Sequence, residues 1–134
     1  MLKISAFVLL LQLFAPTAAT AQQSVETTEL WTGSIYTSSY RAGLCFSPQG
    51  TIRGVLRLRL KNGKVDVYHF AGVIHGYEIE ASHSSGHKFR GELVAPDRVE
   101  GVIVLKNGMK IEISGRRERD VPLVPEDCAP PEEQ

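Results

Sequence analysis

The segment Leu58-Arg59-Leu60-Lys61-Asn62-Gly63-Lys64-Val65-Asp66-Val67 decides the fold. Apolar and polar residues alternate with a period of two, and the alternation breaks once, at Asn62-Gly63, a dipeptide suited to a tight hairpin turn. A two-residue turn there predicts Leu60 opposite Val65 and Leu58 opposite Val67 on one face, with Arg59 opposite Asp66 on the other. The segment therefore reads as an antiparallel hairpin with one apolar and one charged side.

Working outward, similar punctuation recurs every eight to twelve residues and no helical period intervenes. A His75-Gly76 turn predicts Ile74 opposite Tyr77, Gly72 opposite Ile79 and Phe70 opposite Ala81. A Ser84-Ser85-Gly86 loop places His83 opposite His87, Ala81 opposite Phe89 and Glu80 opposite Arg90. Loops at Pro96-Asp97-Arg98 and Lys106-Asn107-Gly108 give Leu93 opposite Gly101, Ile103 opposite Ile111 and Leu105 opposite Met109. Between Val67 and Phe70 the apolar phase slips by one, which predicts a β-bulge at Tyr68-His69. Upstream, residues 29–36 read as a strand, 37–43 as a loop, and Leu44-Cys45-Phe46 as a short strand ended by the turn Ser47-Pro48-Gln49-Gly50.

These pieces make about eight strands of an all-β, antiparallel up-and-down meander. An apolar-x-Gly-x-apolar pattern supports closure into a barrel: it recurs around Gly33, Gly54, Gly72, Gly91 and Gly101, with a partial copy at Gly115. Glycines in phase with large apolar residues allow sharp strand bending and leave room inside a curved sheet. An open sheet or a sandwich is the alternative. The inner face, which includes Trp31, Ile35, Phe46, Leu56, Leu58, Val67, Phe70, Ile79, Phe89, Ile103 and Ile111, contains no polar residue and is expected to be packed core, with an apolar ligand cavity as the other reading.

Residues 1–21 read as a cleaved signal peptide: Lys3 supplies the positive start, an apolar run follows, and Ala19-Thr20-Ala21 matches a small-x-small cleavage site. The apolar run is shorter than the roughly 20 residues a membrane span needs. The expected location is thus the periplasm or the extracellular space, with residues 22–120 forming the barrel and 121–134 a Pro-rich tail. In an oxidising compartment Cys45 and Cys128 are expected to form a disulfide. It would close a loop of about 84 residues, worth ~4 kcal/mol in the chain-entropy view, and pin an extended tail whose prolines exclude a central strand or helix.

The chain has 134 residues, 15 basic and 15 acidic side chains and no formal net charge, which argues against nucleic-acid or membrane binding by bulk charge. Familiar catalytic patterns are missing: there is no Gly-x-Ser-x-Gly elbow, HExxH helix, phosphate-binding glycine loop or Cys-His nucleophile pair, so an enzyme is not expected. The meander does concentrate two kinds of residue at one end. His69, His83 and His87 fall near the same ends of three neighbouring strands, where imidazoles can converge on Zn²⁺, Cu²⁺ or Ni²⁺. Lys61, Lys64, Lys88, Lys106 and Lys110 gather there with Arg41, a rim suited to an anionic group, although lysine is also a common hairpin-turn and edge residue.

On the outer face Arg53, Arg57 and Arg59 line one strand, with Arg57 placed to stack on Tyr68. Glu78, Glu80, Glu92 and Glu100 mark the strands beyond. Separated charge of this kind can orient a protein partner. The expected function is therefore an exported binding or inhibitory module, a monomer or small homo-oligomer, acting on a protein or an anionic ligand through the rim or the charged face. A carrier of a small apolar ligand and a His-based metal-binding protein are the alternatives. Exported meander barrels include avidins, lipocalins and bacterial lysozyme inhibitors, and the sequence carries no motif specific to any of them.

Overall fold

The computed structural model describes residues 25–130. The signal-peptide reading of residues 1–21 and the last four residues of the tail lie outside that range. Eight strands follow one another: β1 (Thr27–Ile35), β2 (Ser38–Phe46), β3 (Thr51–Arg59), β4 (Val65–His75), β5 (Glu78–His83), β6 (Lys88–Ala95), β7 (Arg98–Val104) and β8 (Lys110–Arg119). Each pairs antiparallel with the next, and β8 returns to β1, so the meander is a closed barrel without a free edge.

Loop length sets the register of each hairpin, and several registers differ from the sequence reading. Around Asn62-Gly63 the Leu60 amide donates to the Lys64 carbonyl and the Gly63 amide to the Leu60 carbonyl, with Gly63 at φ 85°. The loop is therefore Lys61-Asn62-Gly63, three residues, and Leu58 faces Asp66 while Arg59 faces Val65. One extra loop residue moves every downstream side chain to the other face. Val65 and Val67 consequently lie outside and exposed, and Tyr68 joins Phe70, Gly72 and Ile74 on the inner face. With the phase restored, no bulge is needed at Tyr68-His69, and β3 pairs with β4 without interruption. The register shift falls instead between Leu93 and Ala95, where β6 meets β7.

Two other turns are tighter or shifted relative to expectation. Gly76-Tyr77 is the two-residue connection, so His75 faces Glu78, Ile74 faces Ile79 and Phe70 faces His83. Across β6 and β7, Leu93 pairs with Val99 and Gly91 with Gly101. Both slips are of two residues, which leaves the inner and outer faces intact. The Ser84-Ser85-Gly86 and Lys106-Asn107-Gly108 loops keep the expected pairings, Ala81 with Phe89 and Ile103 with Ile111.

Of the residues expected as a loop at 37–43, 38–43 are strand: a two-residue Tyr36-Thr37 turn, with Tyr36 at φ 53°, joins β1 directly to β2. Tyr40, Ala42 and Leu44 alternate inward along β2, and Tyr40 is buried although a tyrosine in a Ser/Arg-rich context reads as surface.

All six glycines of the recurrent pattern point into the barrel, and each receives something. The Phe89 ring lies over the paired Gly91 and Gly101, and the Phe70 ring over Gly54. Tyr40 lies over the paired Gly33 and Gly115, its hydroxyl donating to the Ser114 carbonyl at 2.9 Å. Aromatic rings thus occupy the volume vacated at five of the six, while at Gly72 the Glu80–Ala81 backbone of β5 approaches instead.

The tail crosses the outside of β2 and β3. It runs extended to Val124 and then makes one helical turn, Pro125–Cys128. A proline is compatible with a first helical position, where its missing N–H has no intrahelical partner anyway. Cys128 is disulfide-bonded to Cys45, with 5.5 Å between the Cα atoms. Asp127 is wholly buried against Gly43, where any side chain would collide with its carboxylate, and accepts from Arg57 Nη1 at 2.6 Å. Arg57 therefore serves the tail. Its proposed stacking on Tyr68 does not occur, because the two residues lie on opposite faces of the sheet.

Candidate functional site

Burial along the inner face is uneven, and that unevenness makes the site. At the end nearest the β2–β3, β4–β5 and β6–β7 turns, Leu44, Phe46, Ile52, Ile79, Leu93 and Val99 are fully packed. This end also holds polar groups that the expectation of a wholly apolar interior missed. Glu29 and Arg117 form a bidentate ion pair inside the barrel, Nε to Oε1 at 2.7 Å and Nη2 to Oε2 at 2.9 Å. Trp31 Nε1 donates to Glu29 Oε1 at 3.1 Å and Arg117 Nη1 to the Ala95 carbonyl at 2.7 Å. A buried ion pair is tolerable only when its remaining donors and acceptors are used, as they are here. The strand periodicity of β1 and β8 places Glu29 and Arg117 in phase with Trp31 and Ile113, a signal the sequence reading passed over.

Toward the opposite end several inner residues, Leu56, Leu58, Phe70, Phe89, Ile103 and Ile111 among them, are only partly buried and surround a cavity of about 190 Å³. Trp31, Tyr40, Leu56, Phe70, Phe89 and Ile111 are among its walls. The interior is thus part core and part cavity. An apolar cavity of about 150 Å³ holds a benzene molecule, so this one has room for a small hydrocarbon body.

The cavity extends toward the end of the barrel that carries the turns at 36–37, 60–64, 84–86 and 105–109, where Tyr68, His83, His87 and Leu105 line it. Tyr68 meets His83 edge-on at 5.3 Å, and His83 stacks on His87 with 6.3 Å between ring centres and 17° between planes. The Ser85 amide donates to His83 Nδ1 and the Lys106 amide to His87 Nδ1, each at 3.1 Å. Desolvation lowers the His83 pKa below its ordinary value, and the neighbouring His87 and His69 lower it further.

His69 does not join the pair. It follows Tyr68 on β4 opposite Val55 and so lies on the outer face, where its Nδ1 is buried without a hydrogen-bond partner. Among the described residues, no group of three His, Cys, Asp or Glu side chains is placed to hold a metal ion.

Lys61, Lys64, Lys88, Lys106 and Lys110 all lie at the mouth end, in or beside the three loops. Lys64 Nζ is 3.5 Å from Asp66 Oδ1, and Lys106 rests against Gly86 of the neighbouring loop. Arg41 is not among them. Because residues 38–43 are strand, it sits on the outer face of β2 opposite Arg57, 3.8 Å from the Asp127 carboxylate. On the far outer wall Glu78, Glu92 and Glu100 oppose one another across β5, β6 and β7, while Arg90 pairs with Glu80 and Arg98 with Glu100.

No protein-family model and no curated protein matches the chain. Among solved structures, a de novo designed fluorescence-activating β-barrel is similar over 69% of this chain and 91% of its own, at 20% identity and a TM-score of 0.44.

Proposed function

We propose that the protein is an exported, non-catalytic barrel that binds one small, predominantly apolar molecule inside its cavity. The observation that carries this reading is the division of the interior, packed at one end and hollow at the other, with the hollow lined by apolar and aromatic side chains. Sites for small molecules are typically concave and apolar with a few polar groups at fixed positions, and here these groups stand at the mouth. The Cys45–Cys128 bond supports an oxidising compartment. The charged outer face, with Arg53, Arg59, Glu80, Arg90 and Glu92, supports a barrel that works in water, since a lipid-facing barrel would present an apolar band there.

Trp31 provides the test, because it is the sole tryptophan and a cavity wall. Titration with octan-1-ol is expected to change Trp31 emission saturably, with a Kd of about 10 μM to 1 mM. An unchanged spectrum up to the solubility limit of the alcohol counts against the reading.

The opposed Glu78, Glu92 and Glu100 favour a second reading, contact with a basic protein on the β5–β7 wall. Like charges directly opposed across strands destabilise a sheet, and a cationic partner would offset that cost. A panel of basic proteins, lysozymes included, tested for capture and for inhibition addresses it; no capture of any member removes it.

A further inference from the structure

Both histidines at the mouth are engaged at Nδ1 by a backbone amide, and Ser85 Oγ also lies 2.7 Å from His83 Nδ1. Each accepts an amide N–H at Nδ1, from Ser85 for His83 and from Lys106 for His87. A neutral imidazole that accepts at Nδ1 carries its proton at Nε2. Both rings, as acceptors at Nδ1, carry their N–H donor at Nε2, and the rings lie near-parallel with 6.3 Å between centres. Within the described residues the hydrogen bonds of these rings are all made at Nδ1, which leaves both Nε2–H groups for something else.

We propose that His83 and His87 jointly bind the carboxylate of an apolar monocarboxylic acid whose hydrocarbon body occupies the cavity, an assignment that rests on the cavity-binding reading above. A carboxylate is all acceptor, with two oxygens. Two N–H donors on rings 6.3 Å apart can each reach one oxygen of the same group through a bond of about 2.9 Å. The rings need no reorganisation to do so, because the Ser85 and Lys106 amides and the Tyr68 edge contact already fix them. Lys61, Lys88, Lys106 and Lys110 add a positive field at this end, and Lys64 offsets the Asp66 charge of the adjoining hairpin. A neutral alcohol of the same length would fill the cavity equally well and gain little from either.

Titrating the full chain with octanoate and with octan-1-ol at pH 7.5, with Trp31 emission as the readout, separates the two ideas. Octanoate is expected to bind about tenfold or more tightly than the alcohol. His83→Phe and His87→Phe are each expected to weaken octanoate binding about fivefold or more relative to any change in alcohol binding. Retained alcohol binding shows that each variant still folds. In the unaltered protein, the imidazole ¹⁵Nε2 resonances should shift with octanoate and not with the alcohol. Equal affinities for acid and alcohol overturn the carboxylate assignment and leave the cavity reading standing. An octanoate preference that survives both substitutions assigns the head group to the lysines and overturns the role of the pair. Silence of Trp31 toward both ligands removes the cavity reading and this inference together.

Discussion

A methyl group at Gly115 would collide with the Tyr40 hydroxyl, and one at Gly33 would come within 2.7 Å of it. Gly115→Ala should therefore destabilise the barrel by about 1–3 kcal/mol, measured as a lower urea midpoint at unchanged m-value. Glu29 is a harsher position. Glu29→Ala strands the Arg117 guanidinium in the interior and is expected to cost about 3–5 kcal/mol, whereas replacing both partners by methionine should cost far less. For His83 the sign follows from its lowered pKa. As pH falls the unfolded chain takes up the proton first, near 6.5, so this histidine's contribution to stability is complete above that pH. It is lost between 6.5 and the lower folded value. A ring-proton titration by NMR should place the His83 midpoint below 6.5, and a midpoint at or above that value contradicts the environment described.

At the level of elements the tail is the separable part. Cys45→Ser or Cys128→Ser should loosen residues 121–130 from β2 and β3, with a loss of about 2–4 kcal/mol in oxidising conditions and little change under reductant. The same level shows what the sequence could and could not disclose. Strand number and order were legible, because the inward glycines and the period-two alternation are properties of single strands. Register was less so, because it depends on turn length, and the two Lys-Asn-Gly turns show how the ambiguity could have been narrowed. They share a tripeptide and a geometry: Asn62 Oδ1 accepts from the Lys64 amide and Asn107 Oδ1 from the Met109 amide, each across a three-residue loop. Reading the first turn as two residues sent Val67 inside and Tyr68 to the surface, and it created a bulge to repair the phase. Reading 37–43 as a loop displaced Arg41 to the rim by the same mechanism, since Ser38, Ser39 and Gly43 look like turn residues while Tyr40 and Ala42 carry the alternation.

For the whole molecule, the decisive property is that eight strands enclose more volume than their side chains fill. Neither strand pattern nor composition states that surplus, because it depends on how the Tyr40, Phe70 and Phe89 rings lean over their glycines. The mouth histidines were found from sequence because they sit beside a loop of unambiguous length; their partnership with backbone amides was not, since it requires Ser85 and Lys106 in place. Filling the cavity tests the account at this scale. Ile111→Phe should abolish the response of Trp31 to octan-1-ol and leave stability equal or up to about 1 kcal/mol higher, read by ligand titration and thermal melts of the same sample.

The Glu29–Arg117 pair and the packed residues around it close one end of the barrel. A vessel sealed below has a single doorway, so for the ligand proposed above arrival and departure would share one path and compete for it. A second guest could not push the first out from behind, and transfer to an acceptor would have to take place rim to rim.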